Sequence, residues 1–110
     1  MKSKQEFVGS WRIMKMSAWD KEYIDLVAPG RITISKNGNG TFRFGAVEAE
    51  LDCRIETCGE VEQLNFSFAG FDEGDEISGR GWAKVDGNKM IGWFGFHQGD
   101  DSTFEAKKSK

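Results

Sequence analysis

The sequence predicts an all-β domain: an antiparallel up-and-down barrel of about seven or eight strands, with one short helix after the first. Three observations carry this. Phe (9) and Trp (4) accompany an excess of Gly (14), and large rings beside bare backbone suit a β-protein better than a bundle, whose helices glycine weakens. Most of the chain divides into apolar segments of period two, separated by Gly, Asn and Asp turn signals. Hairpin follows hairpin with no crossover, and such a sheet removes its edges most simply by closing on itself.

A chain of 110 residues is one domain with one core. The ordered part is expected over about 5–107. The Lys-rich ends, Met1-Lys2-Ser3-Lys4 and Lys107-Lys108-Ser109-Lys110, read as solvated tails. Phe7-Val8-Gly9-Ser10-Trp11-Arg12 opens the first strand. From Ala18 to Val27 the pattern turns helical: Trp19, Tyr23 and Val27 fall at i, i+4 and i+8, with Ser17 or Asp20 as cap and Pro29-Gly30 as stop.

Arg31–Ser35 alternates as a strand, Lys36-Asn37-Gly38-Asn39-Gly40 turns, and Thr41–Phe44 resumes the alternation. Gly45-Ala46 then interrupts it, with two readings. A two-residue turn would pair Phe44 with Val47 and set Arg43 opposite Glu48. A β-bulge at Gly45 would instead bend one continuous strand. Both keep the apolar residues inside, so both stay open. Val47, Ala49, Leu51, Cys53 and Ile55 line one face of a long strand, and a turn at Thr57–Glu60 leads to Leu64, Phe66 and Phe68. Phe71-Asp72-Glu73-Gly74-Asp75-Glu76 reads as an acidic loop between hairpins. Strands are expected at Ile77–Val85, Met90–His97 and Ser102–Lys107, with turns at Asp86-Gly87-Asn88 and Gln98–Asp101.

The formal charge of -3 argues against a duplex nucleic-acid binder, which needs a basic stripe, so no nucleic-acid partner is expected. No secretory leader pattern opens the chain and no apolar run could span a bilayer, so the expected location is cytoplasmic, with no membrane partner. Cys53 and Cys58 lack the spacing of a zinc knuckle or a redox pair. Cys53 falls on the inward side of a strand pattern and reads as a buried thiol, and a reducing cytosol disfavours a disulfide.

The stretches EFVGSWRI and AWDKEYIDLV resemble the start of a calycin barrel, the group containing lipocalins and fatty-acid-binding proteins. In that group a Gly-x-Trp lies on the first strand and its Trp closes the narrow end. Here Gly9-Ser10-Trp11 matches it, and Trp19-Asp20-Lys21-Glu22-Tyr23 is similar to the aromatic-Asp-x-x-Tyr helical segment of the intracellular fatty-acid binders. The match covers about the first quarter of the chain. The resemblance implies adjacent first and last strands, with a cation from the end of the chain, Lys107 or Lys108, lying over Trp11. It does not carry fatty-acid binding with it, because Ser102–Lys107 lacks the Arg-x-Tyr pair that holds the carboxylate. The whole sequence is similar to short bacterial proteins.

The residues that could carry function are few. The acidic turn could offer oxygens to a hard cation but lacks EF-hand spacing, so a solvated hairpin is expected and no metal. His97, the only histidine, precedes Gln98-Gly99-Asp100-Asp101. It could act as a base or ligand with those carboxylates, but one turn offers too few convergent groups, and a hydrogen bond to a turn carboxylate is expected instead. In SGRGWAKVDGNKMIGWFGF, Arg80 and Trp82 share one face while Gly79, Gly81 and Ala83 leave the other bare. The next strand puts Phe94 and Phe96 on one face, Ile91 and Trp93 on the other. A hairpin apolar on both faces needs a second cover: the helix, a ligand or another subunit.

The leading expectation is therefore a non-catalytic barrel, without cofactor, that binds a small, mostly apolar molecule, with Arg80 as the partner for an anionic end. Its candidate residues are Trp11, Trp19, Tyr23, Arg80, Trp82, Phe94, Phe96 and His97. The alternative is a structural domain that forms a homodimer through the aromatic hairpin. A metal or hydrolytic site at His97 ranks below both.

Overall fold

A computed structural model describes residues 6–109. Eight strands form a closed antiparallel barrel in simple sequence order. They are β1 (Gly9–Met16), β2 (Arg31–Ile34), β3 (Asn39–Phe44), β4 (Val47–Cys58), β5 (Val61–Asp72), β6 (Asp75–Asp86), β7 (Lys89–Phe96) and β8 (Asp101–Lys108), with one helix, α1 (Lys21–Ile24), after β1. Each strand pairs with its chain neighbour, and β1 pairs with β8 to close the ring. No helix among the described residues is long and apolar enough to cross a membrane.

Alternation fixes which side chains enter the barrel. Trp11 and Ile13 of β1, Ile32 and Ile34 of β2, Phe42 and Phe44 of β3, and Leu64, Phe66 and Phe68 of β5 are all buried. The bare positions on β6 and β7 are where rings lie against backbone. A Cβ at Gly81 would stand 2.6 Å from the Phe66 ring, and one at Gly92 would stand 2.5 Å from the Phe104 ring. The two strands thus surrender side chains so that rings from β5 and β8 can fill the space.

The Gly45-Ala46 interruption is a turn. Phe44 faces Val47 and Arg43 faces Glu48, and the two charged side chains form an ion pair. Gly45 takes a left-handed φ of 55°, as a two-residue hairpin turn requires. A bulge does occur elsewhere: the β1–β8 register shifts between Ile13 and Lys15, which leaves Met14 exposed and returns Met16 to the interior.

Four expectations need correction. The helix covers Lys21–Ile24 rather than 18–27. Asp20 is its cap, accepting from the Tyr23 N–H at 3.0 Å, whereas Val27 is 67% exposed and lies beyond the helix in a bent segment. The acidic loop is not a loop, since Asp72 pairs with Asp75 and only Glu73-Gly74 turn. Phe7 precedes the first strand in a helical turn. Finally, Lys107 and Lys108 belong to β8 rather than to a tail. The expected N-terminal tail, Met1-Lys2-Ser3-Lys4, lies outside the described residues.

The barrel closes at Trp11 as the resemblance implied. The indole is fully buried, its Nε1–H donates to the Phe7 carbonyl at 2.9 Å, and Lys108 Nζ lies 4.7 Å from the ring centroid. The same ammonium donates to the Val8 carbonyl at 2.9 Å. Cys53 is buried and free, and burial, then the neighbouring Asp52, pushes its thiol up to about 11.

Candidate functional site

At the end opposite Trp11 the segment between β1 and β2 forms a lid. Ser102, buried on β8, anchors its start: the Ala18 N–H donates to Ser102 Oγ at 3.1 Å, and the Thr103 N–H donates to Ser17 Oγ at 3.0 Å. Asp25 anchors its return. Its carboxylate accepts from the Gly30 N–H at 2.8 Å, from Lys21 at 2.7 Å and from Arg12 at 3.0 Å. Burial alone would raise the Asp25 pKa, but these three donors outweigh it and hold the carboxyl down at about 2. Between the anchors, Trp19 stacks on Phe94 with centroids 6.1 Å apart and meets Phe44 at 5.0 Å and Phe96 edge-on at 6.3 Å. Tyr23 lies over Gly45, where an added Cβ would stand 2.3 Å from the ring.

Beneath the lid, the middle of the barrel is occupied by its own rings. Phe42 meets Phe94 at 5.0 Å and Phe68 at 5.6 Å, and Phe94 meets Phe104 at 6.2 Å. Edge-to-face and offset contacts of this kind are favourable packing.

A cleft of about 970 Å³ lies instead across the β3–β6 wall, at the lid end. It takes its apolar surface from Phe42, Phe71, Ile77 and Phe96, and its polar surface from Arg43, Glu48, Glu50, Glu76 and His97. Ala69 and Gly70 also line it, and a Cβ at Gly70 would stand 2.0 Å from the Glu48 carbonyl oxygen, so glycine there lets the β4 and β5 backbones approach closely. Phe71 is 52% exposed at this face. Arg43 is committed to Glu48, so Glu50 and Glu76 set the balance of charge, which is acidic.

Of the eight residues expected to form a site, only Phe96 and His97 line this cleft. Trp11 closes the far end. Trp19 and Tyr23 belong to the lid, and Phe94 is fully buried among the core rings. Arg80 and Trp82 lie on the outer face of β6, away from the core. The His97 backbone N–H donates to the Ser78 carbonyl at 2.7 Å, but its side chain is exposed and makes no hydrogen bond to a turn carboxylate among the described residues. The carboxylate bond expected for it is absent, because the turn takes Gln98 through a positive φ of 58° and spends Asp101 on the Trp93 Nε1–H, at 3.3 Å.

The lid does not cover the outer face of the aromatic hairpin, since it packs on the inner rings. Trp82 faces Trp93 there, each half-buried, and one cation lies near each ring. Arg80 Cζ lies 5.9 Å from the Trp93 ring centroid and Lys84 Nζ lies 5.5 Å from that of Trp82, both within cation–π range.

Comparison with protein-family models, with curated proteins and with solved structures gave no match.

Proposed function

We propose that this protein is a non-catalytic, calycin-like binding barrel that holds a small, mostly apolar molecule in the β3–β6 cleft rather than inside the ring of strands. The cleft itself is the observation that carries the reading. At about 970 Å³ it lies at the upper end of the range in which proteins seat small ligands, and like such sites it pairs an apolar floor with a few polar groups. The middle of the interior is occupied by the mutually packed rings of Phe42, Phe68, Phe94 and Phe104. The sequence suggested an anionic ligand held by Arg80. That guanidinium sits on another face, and Glu50 and Glu76 at the cleft favour a neutral or cationic polar end instead. His97 suits a rim contact more than proton transfer, for which a base is normally oriented by a second group.

Nile red, a neutral apolar fluorophore, tests this. It should bind with enhanced fluorescence, and Ala69→Trp, which fills the cleft from an exposed position, should remove that binding while leaving the circular dichroism unchanged. Absence of Nile red binding by the wild type, or equal binding by a folded Ala69→Trp variant, would overturn the reading.

A further inference from the structure

Strand register gathers five cations into one row on the outside of the barrel. Lys89 faces Lys107, Lys107 faces Arg12, Arg12 faces Arg31, and Arg31 faces Arg43. Each lies next to an inward residue, Met90, Ala106, Trp11, Ile32 and Phe42, all buried, so the cations face out. At the ordinary spacing of about 4.8 Å between strands, the row runs for about 19 Å around the barrel. Like charges set directly opposite one another destabilise a sheet, and here four such pairs follow in succession.

Neutralisation within the chain is incomplete. Arg12 meets Asp25 at 3.0 Å, but its buried Nε has no hydrogen-bond partner among the described residues. Arg43 pairs with Glu48. Arg31 donates to neutral hydroxyls, Ser10 at 2.8 Å and Ser109 at 3.1 Å. Lys89 and Lys107 make no ion pair among the described residues, although Asp86 faces Lys89 across the hairpin and Glu105 lies two residues before Lys107. The net charge of -3 conceals this row, because it sums over the whole sequence and carries no information about strand register.

A second feature shares β7 with the row. Trp82 and Trp93 face outward side by side, with Arg80 and Lys84 at their rings. Trp93 lies four residues along β7 from Lys89, about 13 Å at the ordinary strand rise, and cations with flat, outward rings at such a distance are the combination that single-stranded nucleic acids take, phosphates on the cations and bases on the rings. An acidic peptide would use the cations and leave the indoles idle. We propose that the outer surface from β6 through β8 and β1 to β3 binds single-stranded nucleic acid. This goes beyond the cleft reading and rests on a different face, so either can fail alone.

Fluorescence anisotropy with a labelled oligothymidylate of about 20 nucleotides tests it. Binding should weaken with salt, with a log–log slope of about -2.1 if Lys89, Lys107 and Arg31, the members of the row without an ion pair among the described residues, each neutralise one phosphate. Lys89→Glu/Lys107→Glu changes two exposed side chains; it should cost at least about tenfold in affinity and flatten the slope by about 1.4. Trp93→Ala should weaken binding roughly tenfold with the slope kept, and near-UV circular dichroism checks that each variant is folded. No binding at about 50 mM salt would overturn the proposal, since the electrostatic attraction is strong there. So would affinity unchanged in the folded lysine variant or in folded Trp93→Ala. Competition by polyglutamate as effective as that by unlabelled oligothymidylate would overturn it in favour of an acidic protein partner.

Discussion

Replacing Trp11 by Ala separates what holds the closed end of the barrel together. The indole is fully buried, so the substitution removes its whole apolar surface and leaves a cavity, a loss of about 3–5 kcal/mol. It also strands the Phe7 carbonyl, which accepts from Nε1–H at 2.9 Å, at about 1 kcal/mol. The Lys108 contact at 4.7 Å adds about 0.5–1 kcal/mol. These contributions overlap, so the whole should come to about 4–6 kcal/mol, a large share of the roughly 5–15 kcal/mol that a domain possesses. Lys108→Ala removes the cation and its bond to the Val8 carbonyl and should cost only about 1–2 kcal/mol. Urea unfolding followed by far-UV circular dichroism measures both, and the double variant gives the coupling between them. Should Trp11→Ala fail to fold, Trp11→Phe keeps much of the ring and should lose about 1–3 kcal/mol. A cost for Trp11→Ala below about 1 kcal/mol, or one no greater than that for Lys108→Ala, would refute the claim that burial of this ring holds the end closed.

Two further predictions follow from the same kind of reasoning. Gly92→Ala should destabilise by about 1–3 kcal/mol in urea unfolding, because its Cβ would meet the Trp82 carbonyl at 2.3 Å as well as the Phe104 ring; a neutral result would show that the ring has room to shift. The folded-state pKa of Asp25, about 2, lies below its ordinary 3.8, so its contribution is full above about pH 4 and is lost as pH falls through about 2. Because the carboxylate and its partners are partly exposed, that contribution should be only about 1 kcal/mol. Asp25→Asn should therefore be less stable than wild type at pH 6, and the gap should shrink toward pH 2; a gap constant with pH would refute the assignment.

The strands were legible because each rests on local signals: alternation, Asn-Gly and Asp-Gly turns, and glycines opposite large rings. The Phe44–Val47 pairing was visible for the same reason, although only the left-handed Gly45 decided between turn and bulge. The lid was misjudged because its apolar spacing suited a helix, whereas Trp19 reaches the core rings from before the helix and Val27 reaches nothing buried. The cleft was illegible except for Phe96 and His97. Its remaining lining joins β3, β4, β5 and β6, residues that only the pairing of four strands brings together. The row of cations was hidden for a deeper reason. Lys89, Lys107, Arg12, Arg31 and Arg43 are far apart in the chain, and only register across four strand pairs makes them neighbours.

Strict neighbour pairing has a consequence for how the ring is assembled. Seven of the eight seams join consecutive strands and close short loops, except for the lid-spanning connection between β1 and β2. The eighth, β1 with β8, joins the first and last strands, and the Ser109 N–H donates to the Ser10 carbonyl at 2.8 Å beside it. The entropy of bringing distant chain together therefore falls almost wholly on one event. Because β1 and β8 are paired, that burden is movable: a permuted chain that joins Ser109 to Phe7 through a short linker and opens at the Glu73-Gly74 turn makes β8–β1 a local hairpin and β5–β6 the seam that must close over distance.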